Sequence, residues 1–178
     1  MANSENVRVG TTGALYAGPT TSTAPTGATS TLTGFTNLGY VSTDGVTETR
    51  DRSTNQIRAW QNSDLVREVV TEATATFQAM LLETSAATLA AYYGATLDIT
   101  DGSVEVNPTA TGGLQSFVID LIDGSDAIRT YIPSGEILSV GEQVYQNGEP
   151  VGYDVTITAY ADATAGYSFK KFYSALVD

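Results

Sequence analysis

The chain has 178 residues, with 8 basic and 20 acidic side chains, a formal net charge of −12, and neither histidine nor cysteine. Without imidazole or thiol there is no Ser-His-Asp triad, no cysteine nucleophile, no disulfide and no ordinary zinc site, so an enzyme built on this chain would have to run on carboxylates, Lys or Tyr. A charge of −12 repels phosphate backbones and anionic membrane surfaces, whose binding depends on Lys and Arg displacing counterions. Hydrophobic residues at 42% and charged residues at 16% suit a folded chain of one domain, 1–178. MANSENVRVG has no basic patch followed by an apolar run, and no later stretch approaches ~18 apolar residues, so a soluble, unexported protein is expected.

Threonine is abundant, at 27 residues, and with Val, Ile, Tyr and Phe it tilts the chain toward strands. The first strand is expected at Gly13 to Ala17. The next stretch, 17–34, is rich in Thr, Ser, Pro, Gly and Ala and has little to bury; it reads as a long loop, either disordered or held from outside the domain. Phe35 to Ser42 reads as a strand, and Asp44-Gly45 as a tight turn opening a second long, polar loop over 43–64. The segment from Leu65 to Glu83 fits a helical stripe (Leu65, Val69, Ala73, Phe77, Met80) and also a strand face (Val69 through Leu81 in steps of two). Its Val and Thr content favours a strand of unusual length that bends. SAATLAAYYG is a short helix, capped by Thr84 or Ser85 and closed by Gly94. Hairpins follow: Thr96 to Thr100 with Ser103 to Val106, Leu114 to Ile122 with Ala127 to Ile132, and Ile137 to Tyr145 with Val151 to Ala161. Tyr167 to Leu176 is the last strand.

The charges are regional. Residues 98–162 hold eleven acids and one base, Arg129, whereas 50–67 holds Arg50, Arg52, Arg58 and Arg67 against Asp51 and Asp64. A basic arm and an acidic body attract copies of one chain head to tail, a contact that generates rings or filaments; solvated surface charge is the plainer alternative. Asp98, Asp101 and Glu105, or Asp120, Asp123 and Asp126, could gather around calcium, but neither set has EF-hand spacing and hairpin turns account for both. No phosphate-binding loop is present, and no cofactor is expected. Lys170-Lys171, beside Phe169, Phe172 and Tyr173, reads as an edge strand or a salt link rather than a single-strand binder.

Three stretches in order, Leu38-Gly-Tyr-Val-Ser-Thr-Asp-Gly-Val-Thr-Glu-Thr49, then Ile57-Arg-Ala-Trp60 with Val66 to Glu83 and Ala91-Tyr-Tyr-Gly94, and Arg129-Thr-Tyr-Ile-Pro133 with Val144 to Asp162, resemble the major tail (tail tube) proteins of long-tailed, siphovirus-type phages, especially those of actinobacterial hosts. The resemblance implies a mainly β fold, a β-sandwich or partly open barrel with one short flanking helix and long loops, and no C-terminal Ig-like domain. It implies a structural virion protein, not an enzyme. Hexameric rings would stack into a tube, assembled in the host cytoplasm, around a tape measure protein and between tail terminator and distal tail proteins, and DNA would later pass without specific binding. On that basis Asp44, Arg50, Arg52, Arg58 and Trp60 are candidates for the subunit interface, and Glu68, Glu72 and Asp154 for the lumen wall. The alternatives are a tail terminator, a head decoration protein, or a secreted β-sandwich adhesin or carbohydrate-binding module, whose Trp60 and tyrosines would stack on sugars.

Overall fold

The computed structural model of the chain describes residues 6–176. Its elements are β1 (Thr12–Pro19), β2 (Thr36–Asn37), β3 (Val41–Arg58), β4 (Leu65–Leu81), α1 (Ala86–Tyr93), β5 (Leu97–Asp98), β6 (Ser103–Val104), β7 (Gln115–Asp123), β8 (Asp126–Val140), β9 (Tyr153–Ala159) and β10 (Lys170–Tyr173), then a 3-10 turn over Ser174–Leu176. Eight strands run in the order β2-β1-β7-β8-β9-β4-β3, with β10 added beside β8, all antiparallel, and they do not close into a barrel. β5 and β6 form a separate small hairpin around the expected Asp101-Gly102 turn.

One strand turns this sheet into a sandwich. The first half of β8 lies between β7 and β10, its second half pairs with β9, and Gly135 pairs with both Gln115 of β7 and Ala159 of β9. Two strands were expected here, broken near Pro133. The chain instead stays extended, because Pro133 falls at a bulge where Pro133 and Ser134 sit opposite Ser116, so its missing N–H costs no ladder bond, and Ser116 Oγ donates to the Pro133 carbonyl at 2.8 Å. The two halves face each other across one apolar core, with Leu15, Phe117, Ile119 and Ile132 on one side and Phe77, Leu81, Val155 and Ile157 on the other. α1 closes one end: Ser85 caps it by accepting from Thr88 N–H, Gly94 ends it at φ +62°, and the buried Thr88 hydroxyl donates to the Leu38 carbonyl at 2.8 Å.

The 17–34 stretch corrects its expectation. It is ordered by the domain itself, lying on the outer face of β7 and β8. Phe35 packs edge-on against Tyr131, and Arg129, only 6% exposed, donates through Nη1 to the Ser30 carbonyl at 2.5 Å while its other nitrogens grip Asp120 at 2.7 Å twice. That cover explains why the run Phe117-Val118-Ile119 is buried on both faces.

The 43–64 loop is the larger correction. Residues 41–58 are the strand β3, paired along its length with β4. Asp44-Gly45 is no turn: Gly45, at φ +71°, sits in a bulge between the Val41 and Val46 pairings, a conformation costly for a residue with a Cβ. β4 pairs with β9 only over Ala75–Leu81, so residues 65–74 and their β3 partners project from the body as a two-stranded arm, roughly 33 Å long at ~3.3 Å per residue. No core lies beneath the arm, so the apolar alternation that marks a strand in sequence is missing from it. Phe35 to Ser42 is likewise broken, at Gly39, and the last strand is shorter than expected.

Candidate assembly surfaces

The arm ends in a four-residue turn. The Ala59 N–H donates to the Asp64 carbonyl at 2.8 Å, Asn62 and Ser63 adopt positive φ, and Arg58 ties the turn by donating to Ser63 O at 3.0 Å and to Gln56 Oε1 at 2.7 Å. Trp60 therefore stands outward at the tip, 98% exposed, with Ile57, Leu65, Val66 and Val70 also exposed nearby. A tryptophan in water at the end of a ribbon has no internal reason to be there. Of the interface candidates, Arg58 and Trp60 belong to the arm's outer part, whereas Arg52, paired with Ala73, lies at its base. Arg50 is held nearer the body by Glu48 at 3.3 Å, and Asp44 lies at the opposite end of β3, its backbone N–H bonded to Ser42. The structure does not bring these five together.

The lumen candidates are also separated. Directly paired residues on neighbouring strands share a face. Arg50, Arg52 and Thr54 therefore continue the face of Phe77 and Ala75, whereas Asp51 and Ser53 share the other face with Thr74 and Glu72. Pairing then shifts from Ser53 with Glu72 to Thr54 with Val70, which makes Thr71 an extra residue, its hydroxyl donating to the Ser53 carbonyl at 3.1 Å. Beyond this bulge the faces exchange. Glu68 accepts from Thr54 at 2.6 Å on the core-side face, opposite to Glu72. Asp154 shares the outward face with Glu72 but pairs with Met80, eight residues further along β4, and accepts from Gln78 at 2.9 Å.

That outward face is chemically uniform. Across β3, β4, β9 and β8 it presents the rows Thr49, Thr76, Thr158, Glu136 and Thr47, Gln78, Thr156, Ser139, with Asp51, Glu72 and Asp154 beside them and no Lys or Arg at any of these positions. Its side strands are open. β3 pairs only with β4, and beyond Gly135 β8 pairs only with β9.

A second surface, which the sequence reading missed, lies at the other end of β4, around α1. The backbone of Ala110–Gly112 packs against Gly94; Tyr92 Oη donates to Gly141 O at 2.7 Å, and Tyr93 Oη to Gln143 Oε1 at 3.1 Å, so 95–114 and 141–152 are gathered side by side. Burial raises both tyrosine pKa values above the ordinary phenol range. Asp98, bonded by Thr100, and Asp101, bonded by Ser103, are held below the usual carboxylate value. The signal available in the sequence was the set of isolated apolar residues, Ile99, Val106, Val144 and Tyr145, among acids.

The sandwich also opens into a cleft of about 980 Å³ between β1, β7 and β3, lined partly by Gly13, Tyr40, Val46 and Leu121. Its charged groups are already engaged: Glu48 with Lys171 and Arg50, Asp120 with Arg129, and Glu83 with the Tyr40 N–H. Of the other carboxylates considered for calcium, Asp126 pairs with Arg8 at 3.0 Å and Asp123 accepts from the Val9 N–H. Among the described residues no cluster of three or more acids is placed to hold a metal ion, and no helix is long and apolar enough to cross a membrane.

The described residues thus form a two-sheet β fold with a long projecting ribbon and open strand edges. A family model described as phage tail tube protein matches residues 1–174, and the chain belongs to that family. It is thus a structural protein of the phage tail. Comparison with curated proteins gave no match. Among solved structures it is similar to the tail of an empty GTA particle determined with C6 symmetry, at 10% identity and a TM-score of 0.43, covering 91% of this chain and 96% of that one.

Proposed function

We propose that copies of this chain close into rings of six, as the family resemblance implies, by pairing the open edge of β3 with the open edge of β8 in a neighbour, and that the rings stack into a tube for DNA passage. The supporting observation is the four-strand half β8-β9-β4-β3, with both edges unpaired and no Lys or Arg in the Thr-rich rows that cross all four strands; Arg67, paired with Ile57 far out on the arm, is the cation that this face carries. Edges of this length invite further pairing, and a closed ring removes them all. With the Thr-rich face turned inward, Asp51, Glu72 and Asp154 form an acidic wall. Phosphates do not condense on such a wall, whereas Lys or Arg would replace counterions and hold the DNA. The effect reaches only about 8 Å at physiological salt, so it prevents sticking rather than driving transport. A tape measure protein would fill the channel before ejection, with terminator and distal tail proteins at the ends, and assembly would take place in the host cytoplasm. Negative-stain imaging of the purified protein tests the reading: rings or tubes are expected, and a protein that stays monomeric at high concentration overturns it.

A further inference from the structure

β8 ends at Val140 and β9 begins at Tyr153, so 141–152 is a loop where the sequence pattern predicts strands meeting at Asn147-Gly148. The start of the loop is tied down. The Gly141 N–H donates to the Asp154 carbonyl at 2.9 Å, and Tyr92 and Tyr93 bond to Gly141 and Gln143. Further out, Asn147 and Gly148 are both exposed, and neither the Asn147 carboxamide nor the Gly148 N–H has a hydrogen-bond partner among the described residues. Gly148, at φ +87°, has open space where a Cβ would stand. The other described asparagines are held or hindered. Asn37 Oδ1 accepts from the Gly39 N–H at 2.8 Å, Asn55 pairs with Val69 within β3, and Asn62 lies in the closed turn of the arm. Asn107 Oδ1 accepts from the Thr109 N–H at 3.1 Å and is followed by Pro108, which has no N–H, and Asn6 is followed by the branched Val7.

We propose that Asn147 is a self-modifying site, at which the Gly148 backbone nitrogen attacks Asn147 Cγ and converts the asparagine to aspartate or isoaspartate. The nitrogen gives up its proton as the N–Cγ bond closes a succinimide ring, and the Cγ–Nδ2 bond breaks to release ammonia. Water then opens the ring. Addition at Cγ leaves aspartate, and addition at the Asn147 main-chain carbonyl leaves isoaspartate, whose backbone runs through Cγ and is longer by an atom. Water is the co-reactant, and nothing is oxidised or reduced. A glycine after the asparagine offers no Cβ to obstruct the ring, and the free N–H and carboxamide mean that cyclisation breaks no bond the fold has made. The attacking nitrogen must lose its proton, so the reaction quickens as pH rises. Each converted chain replaces a neutral amide with a carboxylate between Glu142 and Glu149, in a loop that holds no Lys or Arg. The ties at Gly141 and Gln143 confine the change to the outer part of the loop and leave the sandwich intact.

The Lys and Arg residues of the chain place Asn37, Asn55, Asn62, Asn107 and Asn147 in separate tryptic fragments, Asn147 in 130–170. The purified, unassembled full chain is held at mildly alkaline pH, digested under slightly acidic conditions to prevent conversion during digestion, and followed by mass spectrometry. Fragment 130–170 should gain the mass difference between an amide and an acid faster than the fragments of the other four asparagines together. Its product should accept methyl groups from an isoaspartyl methyltransferase, and isoelectric focusing should show the intact chain moving to the position of the Asn147→Asp variant. Gly148→Ala should slow the conversion several-fold by placing a methyl group against the ring. Asn147→Gln, which cannot form the five-membered ring, should abolish the mass gain in 130–170 and so excludes Gln143 and Gln146 as its source. A fragment 130–170 that stays unchanged while another asparagine converts overturns the proposal. So does an Asn147→Gln chain that gains the same mass, or a correctly folded Gly148→Ala chain that converts as fast as the unsubstituted one.

Discussion

Replacing Arg129 by Leu removes the one cation that holds the 17–34 stretch onto the sheet. Its side chain is 7% exposed and that of Asp120 11%, with paired bonds of 2.7 Å from Nε and Nη2 to the two carboxylate oxygens. The variant leaves a nearly buried carboxylate without a counter-charge and takes the donor from the carbonyls of Gly27 and Ser30. Breaking such a pair costs about 3–5 kcal/mol. For a domain of this size 1 kcal/mol corresponds to roughly 2–4 °C, so the melting temperature should fall by about 6–20 °C. Asp120→Leu combined with Arg129→Leu should be less destabilised than the sum of the single variants by about 2 kcal/mol or more, because the stranded charge is then gone. Urea unfolding of unassembled protein gives all four corners of this cycle, and hydrogen exchange over 20–35 reports whether the stretch comes loose in the single variant. A loss within ~1 kcal/mol for Arg129→Leu, or additive singles, would refute the reasoning.

In unassembled protein, amides of 51–58 and 65–74 should exchange much faster than those of 75–81, because a two-stranded ribbon without a core is only marginally stable; assembly should protect them, and equal protection before assembly would count against an arm completed by its neighbours. Glu72→Lys with Asp154→Lys should yield tubes that assemble but release DNA slowly, whereas Glu68→Lys, on the other face, should eject normally; a normal rate in the double variant sinks the lumen assignment. Phe77→Ala, emptying a side chain in contact with both halves of the core and with Phe169, should cost about 3–5 kcal/mol in urea unfolding, and a loss below ~2 kcal/mol would mean that the sandwich collapses around the gap.

Local signals were legible in the sequence because their causes are local. Ser85 and Gly94 mark the helix by capping chemistry, and Asp101-Gly102 and Asp123-Gly124 mark hairpins because positive φ is needed there. The arm was not legible. Alternation appears only where one face of a strand is buried, and residues 49–58 and 65–74 are exposed on both, so their composition is that of a loop. β8 was divided in two for a related reason: Pro133-Ser134-Gly135 has turn chemistry, and only the partner strands show that it serves a bulge where the chain passes from one sheet to the other.

The candidate lumen wall shows how little sequence information decides a functional surface. Glu68 and Glu72, four apart on one strand, belong to the same face in any regular ribbon, and period-two reasoning assigns them to one wall. A single extra residue, Thr71, rotates the chain between them so that Glu72 stays with Asp51 and Asp154 while Glu68 turns to the side of Arg50 and Arg52. The exchange has a charge consequence. Without the bulge, the arm's outer part would place Glu68 and Glu72 together on the Thr-rich face and leave Arg52 facing uncharged neighbours. With it, Asp51 and Glu72 keep one face of the ribbon and are joined there by Arg67 beyond the bulge, while Glu68 lies on the same side as Arg50 and Arg52. The bulge between Ser53 and Thr54 thus assigns the two faces of the arm separately along its length, with one residue, and a variant lacking Thr71 should bring Glu68 and Glu72 onto one face.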